Sequence, residues 1–448
     1  MDDEGRLDLS SLCEGCKGPA EIAGFGQALG GPGRKIVVGR DCDPGSRMMC
    51  NALIAGLLSV GTEVRDAGVM PAPAAAAASK DCDMLIMVGN PDSVGNLPRW
   101  KAFNGDGSPV GLEALREAVG RYNDGEIALQ PYDRVGGMHP MNAVAERYIV
   151  EVAEAYEGAR TPVLLDCGCG SAALCAPYVL SRMGCDITCN DTHSDTLHRP
   201  RPPGVSGPEM LRIQESIAHD PGSIGLALNG DGTRLASIDE SGDRISAEEV
   251  AALIAMRLRP SVLVLPMDMS SLVEDAFHGS IGRICEEPAE TSRFGKVVRT
   301  GGTLEETVDA LRDADDGLGI TSEGEFIFPE SSFCPDAIRA CAILSEIAGI
   351  CSIKDVLSSF PKYTMFSETL HLTGNVETFN KGLAEALADI GAESIIEIGG
   401  WRVTMRNGWF LVSVGGDHGH VNVTSESADG LYALSLMESV KDLVRRCM

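Results

Sequence analysis

Short apolar runs that end in glycine-rich polar turns recur along the chain, and each is followed by a stretch with apolar residues at helical spacing. The first run, Lys35-Ile36-Val37-Val38-Gly39-Arg40-Asp41, leads into a helical pattern over about 46–60, and a second strand over 84–88 ends in Gly89-Asn90-Pro91. The next begins at Pro162-Val163-Leu164-Leu165, passes through Asp166-Cys167-Gly168-Cys169-Gly170-Ser171, and continues as a helix to about Met183. Its later strand, 223–228, ends in Asn229-Gly230-Asp231-Gly232. A third run over 261–266 is joined by 317–320, a turn, Phe326-Ile327-Phe328-Pro329, and a helix over about 334–348.

The chain changes character after that point. A helix over 375–390 is followed by short strands at 394–398, 401–405, 409–414 and 421–424, with a terminal helix from about Asp429. Alternating strands and helices read as α/β layers, and this last stretch as a separate α+β unit. The expectation is three similar α/β/α domains with mixed sheets, over 1–156, 157–257 and 258–362, and a C-terminal α+β domain over 363–448.

Bulk properties agree with several ordinary cores. A chain of 448 residues exceeds what one core supports and fits three or four domains of about 100–150 residues each. No apolar run approaches the ~18–20 residues that span a bilayer, and the start, MDDEGRLDLSSL, lacks the basic-then-apolar order of a signal peptide. The expectation is a cytoplasmic protein. The formal net charge of −28 argues against nucleic acid and anionic membranes as partners, and a phosphorylated ligand would need a local basic pocket. Most of the 15 cysteines are scattered singly in apolar stretches, as small buried hydrophobes. Cys13-x-x-Cys16 lacks the second knuckle of a structural zinc site, and the Cys167, Cys169, Cys175 group reads as packing at a strand end.

Specific stretches carry a family resemblance. Val37-Val38-Gly39-Arg40-Asp41 with Asn51–Leu58, Gly68-Val69-Met70-Pro71-Ala72-Pro73, Leu226–Glu240, Glu325–Glu330 and Gly408-Trp409-Phe410-Leu411-Val412 occur in order and at family-like spacing. In these the chain resembles the α-D-phosphohexomutases, the phosphoglucomutase, phosphomannomutase and phosphoglucosamine mutase group, along nearly its whole length. The resemblance implies four domains around a central cleft, each giving one loop: a phosphoryl-carrying serine, three aspartates for Mg²⁺, a Glu and Ser that select sugar hydroxyls, and a phosphate cradle. Phosphoryl transfer depends mainly on positioning and charge neutralisation, so these parts must converge.

Each loop departs from the family pattern. T-A-S-H-N-P becomes Ile86-Met87-Val88-Gly89-Asn90-Pro91, so the nucleophile position is Val88; Ser93 and Lys101 lie on the same loop. D-G-D-x-D-R becomes Asn229-Gly230-Asp231-Gly232-Thr233-Arg234, which keeps one carboxylate and the arginine. In the third loop Thr321, Glu323 and Glu325 stand near the sugar-recognition positions, and in the fourth Ser413, Gly415, Gly416 and His418 stand at the phosphate cradle. The glycines there offer backbone N–H groups as an anion nest; Asp417, His418 and His420 form either a metal or acid–base site or a polar hairpin tip. The G-T-S-G-x-R-G stretch is missing near the N-terminus, where Cys13-Glu14-Gly15-Cys16-Lys17-Gly18 stands.

The reading is a phosphohexomutase-like protein of carbohydrate metabolism, impaired in turnover, that acts by binding a sugar phosphate or a protein partner, including a copy of itself. The alternative is an active phosphosugar mutase, an isomerase by intramolecular phosphotransfer, with relocated residues such as Ser93. Mg²⁺ is implied by the resemblance, although the charge it needs is reduced.

Overall fold

The computed structural model describes residues 7, 17–90, 99–158, 160–193, 201–202, 204–205, 211–219, 222–280, 284, 295–314, 316–372, 374–388, 390–415 and 419–448. Four sheets follow one another along the chain, and the first three repeat one design.

In the first unit β1 (Lys35–Arg40) is flanked in parallel by β2 (Glu63–Val69) and β3 (Met84–Gly89), and β4 (Arg99–Asn104) returns antiparallel to β3. A short β5 (Met138–Pro140) adds to β2. The second unit places β6 (Pro162–Asp166) between parallel β7 (Asp186–Asn190) and β8 (Ile224–Leu228), with β9 (Leu235–Ile238) antiparallel to β8 and β10 (Arg244–Ile245) outside it. The third repeats the pattern with β11 (Val262–Pro266), β12 (Lys296–Thr300), β13 (Gly317–Ile320) and antiparallel β14 (Phe326–Ile327). The hairpin turns β3–β4, β8–β9 and β13–β14 are therefore equivalent positions of one repeated motif. They are also the first three loops that the sequence singled out.

The strands form where the apolar runs predicted them, because parallel strands covered on both faces carry near-continuous Val, Ile and Leu. Helix bounds shift slightly. The first predicted helix spans Pro44–Ser59, since Pro44 suits the first helical turn, and the helix expected over 334–348 spans Ala337–Ile350 after Asp336 caps it.

That helix, Ala337–Ile350, is buried continuously from Ala337 to Ile347. Side chains of the first three units pack into one apolar cluster around it. Polar ties hold each unit to it. From the first, Tyr148 Oη donates to Asp336 Oδ1 at 2.7 Å and Glu151 accepts from Arg339 Nη2 at 3.0 Å. From the second, Arg257 Nε donates to Glu346 Oε2 at 2.8 Å. Burial raises the pKa of Asp336 despite the Arg339 charge beside it.

The fourth unit is an antiparallel sheet in the order β15 (Thr364–His371), β19 (His420–Ser427), β18 (Gly408–Val414), β17 (Gly400–Met405) and β16 (Ser394–Glu397), covered by helices Val376–Ala388 and Gly430–Cys447. It docks on the third unit through buried polar groups. The Arg402 guanidinium stacks 3.6 Å from the Trp409 ring centroid and donates to the Met267 and Met269 carbonyls. Glu426 Oε2 accepts from Trp409 Nε1 at 2.5 Å and from the Ser271 amide at 2.9 Å, at the start of helix Ser271–Phe277. Burial and the nearby Arg299 charge lower the Arg402 pKa.

Truncating the indole at this junction should cost about 3–5 kcal/mol. Scanning calorimetry of Trp409→Ala is expected to show the fourth unit melting earlier than the other three. An unchanged single transition would refute this role for Trp409.

Candidate functional site

Strand alternation decides where the substituted nucleophile position points. Along β3, Met84, Ile86 and Val88 enter the cluster beneath the first sheet with Phe25, Leu53 and Trp100, while Leu85 and Met87 enter the cluster shared between units. Val88 is 1% exposed and lies directly across from Trp100 on β4. The valine side chain thus completes a core, with only the edge of the residue reaching the cleft wall.

Beside it Asp41 closes the ends of β1 and β3. Its amide donates to the Val88 carbonyl at 3.1 Å, and its carboxylate accepts from the Asn90 amide at 2.7 Å and the Asp43 amide at 3.0 Å. Burial raises its pKa, partly offset by hydrogen bonds from Ser46 and the Asn90 amide. Gly89 permits this approach, because a Cβ there would lie 2.5 Å from Asp41 Oδ2. Sequence reading gave Asp41 no role; the signal was an acid directly after a buried parallel strand, where open α/β sheets place their sites.

The second loop satisfies itself. Asn229 Oδ1 accepts from the Thr233 and Arg234 amides, each at 3.0 Å. Thr233 Oγ1 donates to Asp231 Oδ1 at 2.7 Å, and Asn229 Nδ2 donates to Thr233 Oγ1 at 3.2 Å. All three side chains are buried. The loop is pinned from both sides, since its Asp231 carbonyl accepts from the Ala72 amide of the first unit and its Gly232 carbonyl from the Ala337 amide of the third, both at 3.0 Å. Gly232 takes a φ of +76° to make that turn.

The third loop meets the second through Arg234. Its Nη2 lies 3.2 Å from Glu323 Oε2 and its Nε 3.6 Å from Glu325 Oε1. Thr321 Oγ1 donates to Glu325 Oε2 at 3.3 Å and accepts from the Glu325 amide at 3.2 Å. Burial raises the Glu325 pKa, while Lys101 and Arg234 pull it down.

Lys101 joins the two halves of the cleft. A pocket of about 170 Å³ is walled by Asp41, Asn90, Arg99, Lys101, Asp231 and Arg234, and a neighbouring one of about 450 Å³ by Lys101, Thr233, Thr303, Thr321, Glu323 and Glu325. Three cations therefore gather at the smaller pocket of a strongly acidic chain, the local basic patch that a phosphorylated ligand requires. Glu323 and Glu325 beside them can accept hydroxyl hydrogens.

Of the residues singled out in sequence, Val88, Lys101, Asn229, Asp231, Thr233, Arg234, Thr321, Glu323 and Glu325 lie along this cleft or on its loops. Ser93, Gly416, Asp417 and His418 fall outside the described residues, as do Cys13 and Cys16. Ser413 and Gly415 sit at the β18–β19 hairpin, where the Gly415 amide donates to the His420 carbonyl at 2.8 Å. That bond corrects the expectation that this amide serves an anion nest. His420 instead packs edge-on against His371 across the strand pair, with ring centroids 5.4 Å apart. Cys167, Cys169 and Cys175 are all buried, as packing residues would be, and Cys169 Sγ in addition lies 3.6 Å from His193 Nε2.

Residues 20–126 match the phosphoglucomutase/phosphomannomutase alpha/beta/alpha domain I. A probable phosphoglucosamine mutase of Methanococcoides burtonii is 27% identical over 423 residues, covering 93% of each chain. A phosphoglucomutase/phosphomannomutase family protein from Burkholderia thailandensis has the same fold, with a TM-score of 0.82 at 19% identity over 97% of this chain and 95% of that one. The Aspergillus fumigatus N-acetylphosphoglucosamine mutase solved with GlcNAc-6P and magnesium is similar at a TM-score of 0.52 and 13% identity, over 92% of this chain and 77% of that one. No helix among the described residues is long and apolar enough to cross a membrane. The thrice-repeated sheet with its converging hairpin loops, and the likeness over nearly the full length of its relatives, are features this chain shares with the α-D-phosphohexomutases.

Proposed function

We propose that this chain binds a sugar phosphate in the cleft between its first three units and does not transfer the phosphoryl group through the family's serine position. One observation carries the reading: the side chain at that position is a valine, buried in the core against Trp100. A ligand phosphate fits the Arg99, Lys101 and Arg234 side, and sugar hydroxyls fit the Thr321, Glu323 and Glu325 side. The relatives' names point to phosphorylated hexoses or hexosamines as the ligand class.

The donor set of the second loop does not fit a resident Mg²⁺. Such a hard cation is usually held by one or two carboxylates together with waters and substrate phosphates. Here the Asp231 oxygen already accepts the Thr233 hydroxyl, and the Asn229 oxygen already serves two amides. Replacing two carboxylates by neutral groups removes the repulsion that a cation would otherwise relieve, so the loop is complete without one. No step is assigned to magnesium.

The second reading, a mutase with relocated residues, draws on the survival of Lys101, Asp231 and Arg234 at one pocket. Assays with glucose 1-phosphate, mannose 1-phosphate and glucosamine 1-phosphate, each primed by its 1,6-bisphosphate, separate the two. Loss of a catalytic nucleophile is worth on the order of 10⁶-fold in turnover, so no product above background is expected. Turnover that disappears in Ser93→Ala would overturn the binding-only reading.

Binding is tested on its own by thermal shift, because a ligand held only by the folded chain raises its melting temperature. Lys101→Ala and Arg234→Ala should each weaken sugar phosphate binding roughly 10- to 100-fold, the worth of a hydrogen bond to a charged group. Equal affinity in both variants would place the ligand elsewhere.

Glu325 adds a pH dependence. An anion nearby raises its pKa further, so binding takes up protons and affinity rises as pH falls toward its elevated value. Glu325→Gln should bind more tightly at neutral pH and lose that part of the slope in calorimetric titrations. The phosphate's own protonation near pH ~6 is common to both proteins and cancels in the comparison.

A further inference from the structure

The β6–β7 side of the second unit holds a cluster of donor atoms outside the cleft. After β6 the chain turns through Gly168 and Cys169, both left-handed, with φ values of +54° and +55°. Asp166 Oδ1 accepts from the Gly168 amide at 2.8 Å and is paired with buried Arg201 at 2.7 Å. The Cys169 amide then donates to the Asp191 carbonyl at 2.7 Å, which locks this turn to the end of β7. Asp191 is itself left-handed, with φ +50°.

These turns bring three different ligand types together. Cys169 Sγ lies 3.6 Å from His193 Nε2 and 3.9 Å from Nδ1, and one carboxylate oxygen of Asp191 lies within 4.8 Å of both partners' ligand atoms. The cysteine is buried, the aspartate half-buried and the histidine exposed. Zn–S bonds of about 2.3 Å and Zn–N or Zn–O bonds of about 2.0–2.2 Å at a tetrahedral angle put donor atoms roughly 3.5 Å apart. The sulfur–nitrogen separation already has that value, and side-chain rotation of the imidazole and carboxylate would aim their lone pairs at a shared point.

We propose that Cys169, Asp191 and His193 form a binding site for one divalent transition-metal ion of the zinc type, open to solvent at its fourth position. Thiolate, imidazole and carboxylate together favour such a borderline cation over Mg²⁺ or Ca²⁺. The thiol gives up its proton to solvent as the metal binds. Arg212, whose Nη1 lies 3.1 Å from Asp191 Oδ2, releases that carboxylate toward solvent.

The position gives the metal a structural consequence. Gly170, next to Cys169, is pressed so closely to Gly230 that a Cβ would come within 2.3 Å of its Cα. Ser171 Oγ donates to the Gly230 carbonyl at 3.1 Å. A metal on Cys169 therefore braces the second cleft loop from behind.

The test uses the full chain, stripped with a chelator and titrated with Co²⁺, whose spectrum reports thiolate ligation. One equivalent should give a sulfur-to-cobalt charge-transfer band with tetrahedral d–d absorption, displaced by Zn²⁺. Cys169→Ser should remove the charge-transfer band. His193→Ala, on the surface and compatible with folding, should weaken Co²⁺ binding by more than the ~10–100-fold that outer-sphere partners cost. The double variant Cys13→Ser/Cys16→Ser should keep the band. A wild-type chain without a thiolate band would show the pair to be a thiol–imidazole hydrogen bond and overturn the site. So would a band that survives Cys169→Ser or vanishes in the Cys13/Cys16 variant.

Discussion

A helix that is buried on every side cannot be the surface of anything, and Ala337–Ile350 imposes that condition on the first three units. Its apolar residues are satisfied only when all three close around it. The polar groups it carries into the interior, Asp336, Arg339 and Glu346, are matched one by one by Tyr148, Glu151 and Arg257 from the neighbouring units. An unmatched buried charge of this kind would cost several kcal/mol, about 3–5 when one partner is removed. The relative placement of the units is thereby specified. The first amide of the helix holds the Gly232 carbonyl, so the second cleft loop inherits its position from the same element.

This arrangement separates the shape of the cleft from its chemistry. The hairpin loops converge because equivalent strands of a repeated motif point them inward, and nothing in that geometry requires a serine or three aspartates. Asn229, Asp231 and Thr233 hold their loop by hydrogen bonds among themselves, two of which use side-chain donors that carboxylates do not have. Arg234, Lys101 and Glu325 keep charge in the cleft while Val88 keeps a core. Recognition and turnover have distinct residue requirements, and the cations and hydroxyl acceptors of this cleft answer to the first.

Much of this was readable from the chain. Continuous apolar strands such as Val37–Val38 and Leu263–Leu265 announce themselves, because burial on both faces leaves no polar positions. β15, with the sequence TMFSETLH, and β4, with RWKAFN, were not read, since strands at a sheet edge mix polar and apolar residues without a clear period. The departures of the loops from the family pattern were legible, but not the direction of the Val88 side chain, which depends on strand pairing with Trp100. Asp41 and the Cys169–His193 contact escaped for the same reason. Their partners lie 49 and 24 positions away, and only the fold brings them together.

Gly89 and Val88 constrain what else could stand at the end of β3. The space its missing side chain vacates is taken by the Asp41 carboxylate, and the space beneath Val88 is taken by Trp100 and Phe25. Serine and histidine at these two positions would put a hydroxyl into hydrocarbon and an imidazole into a carboxylate. Each substitution is penalised by the neighbours that now fill the space. Packing alone, independent of any ligand, therefore holds valine and glycine at these two positions.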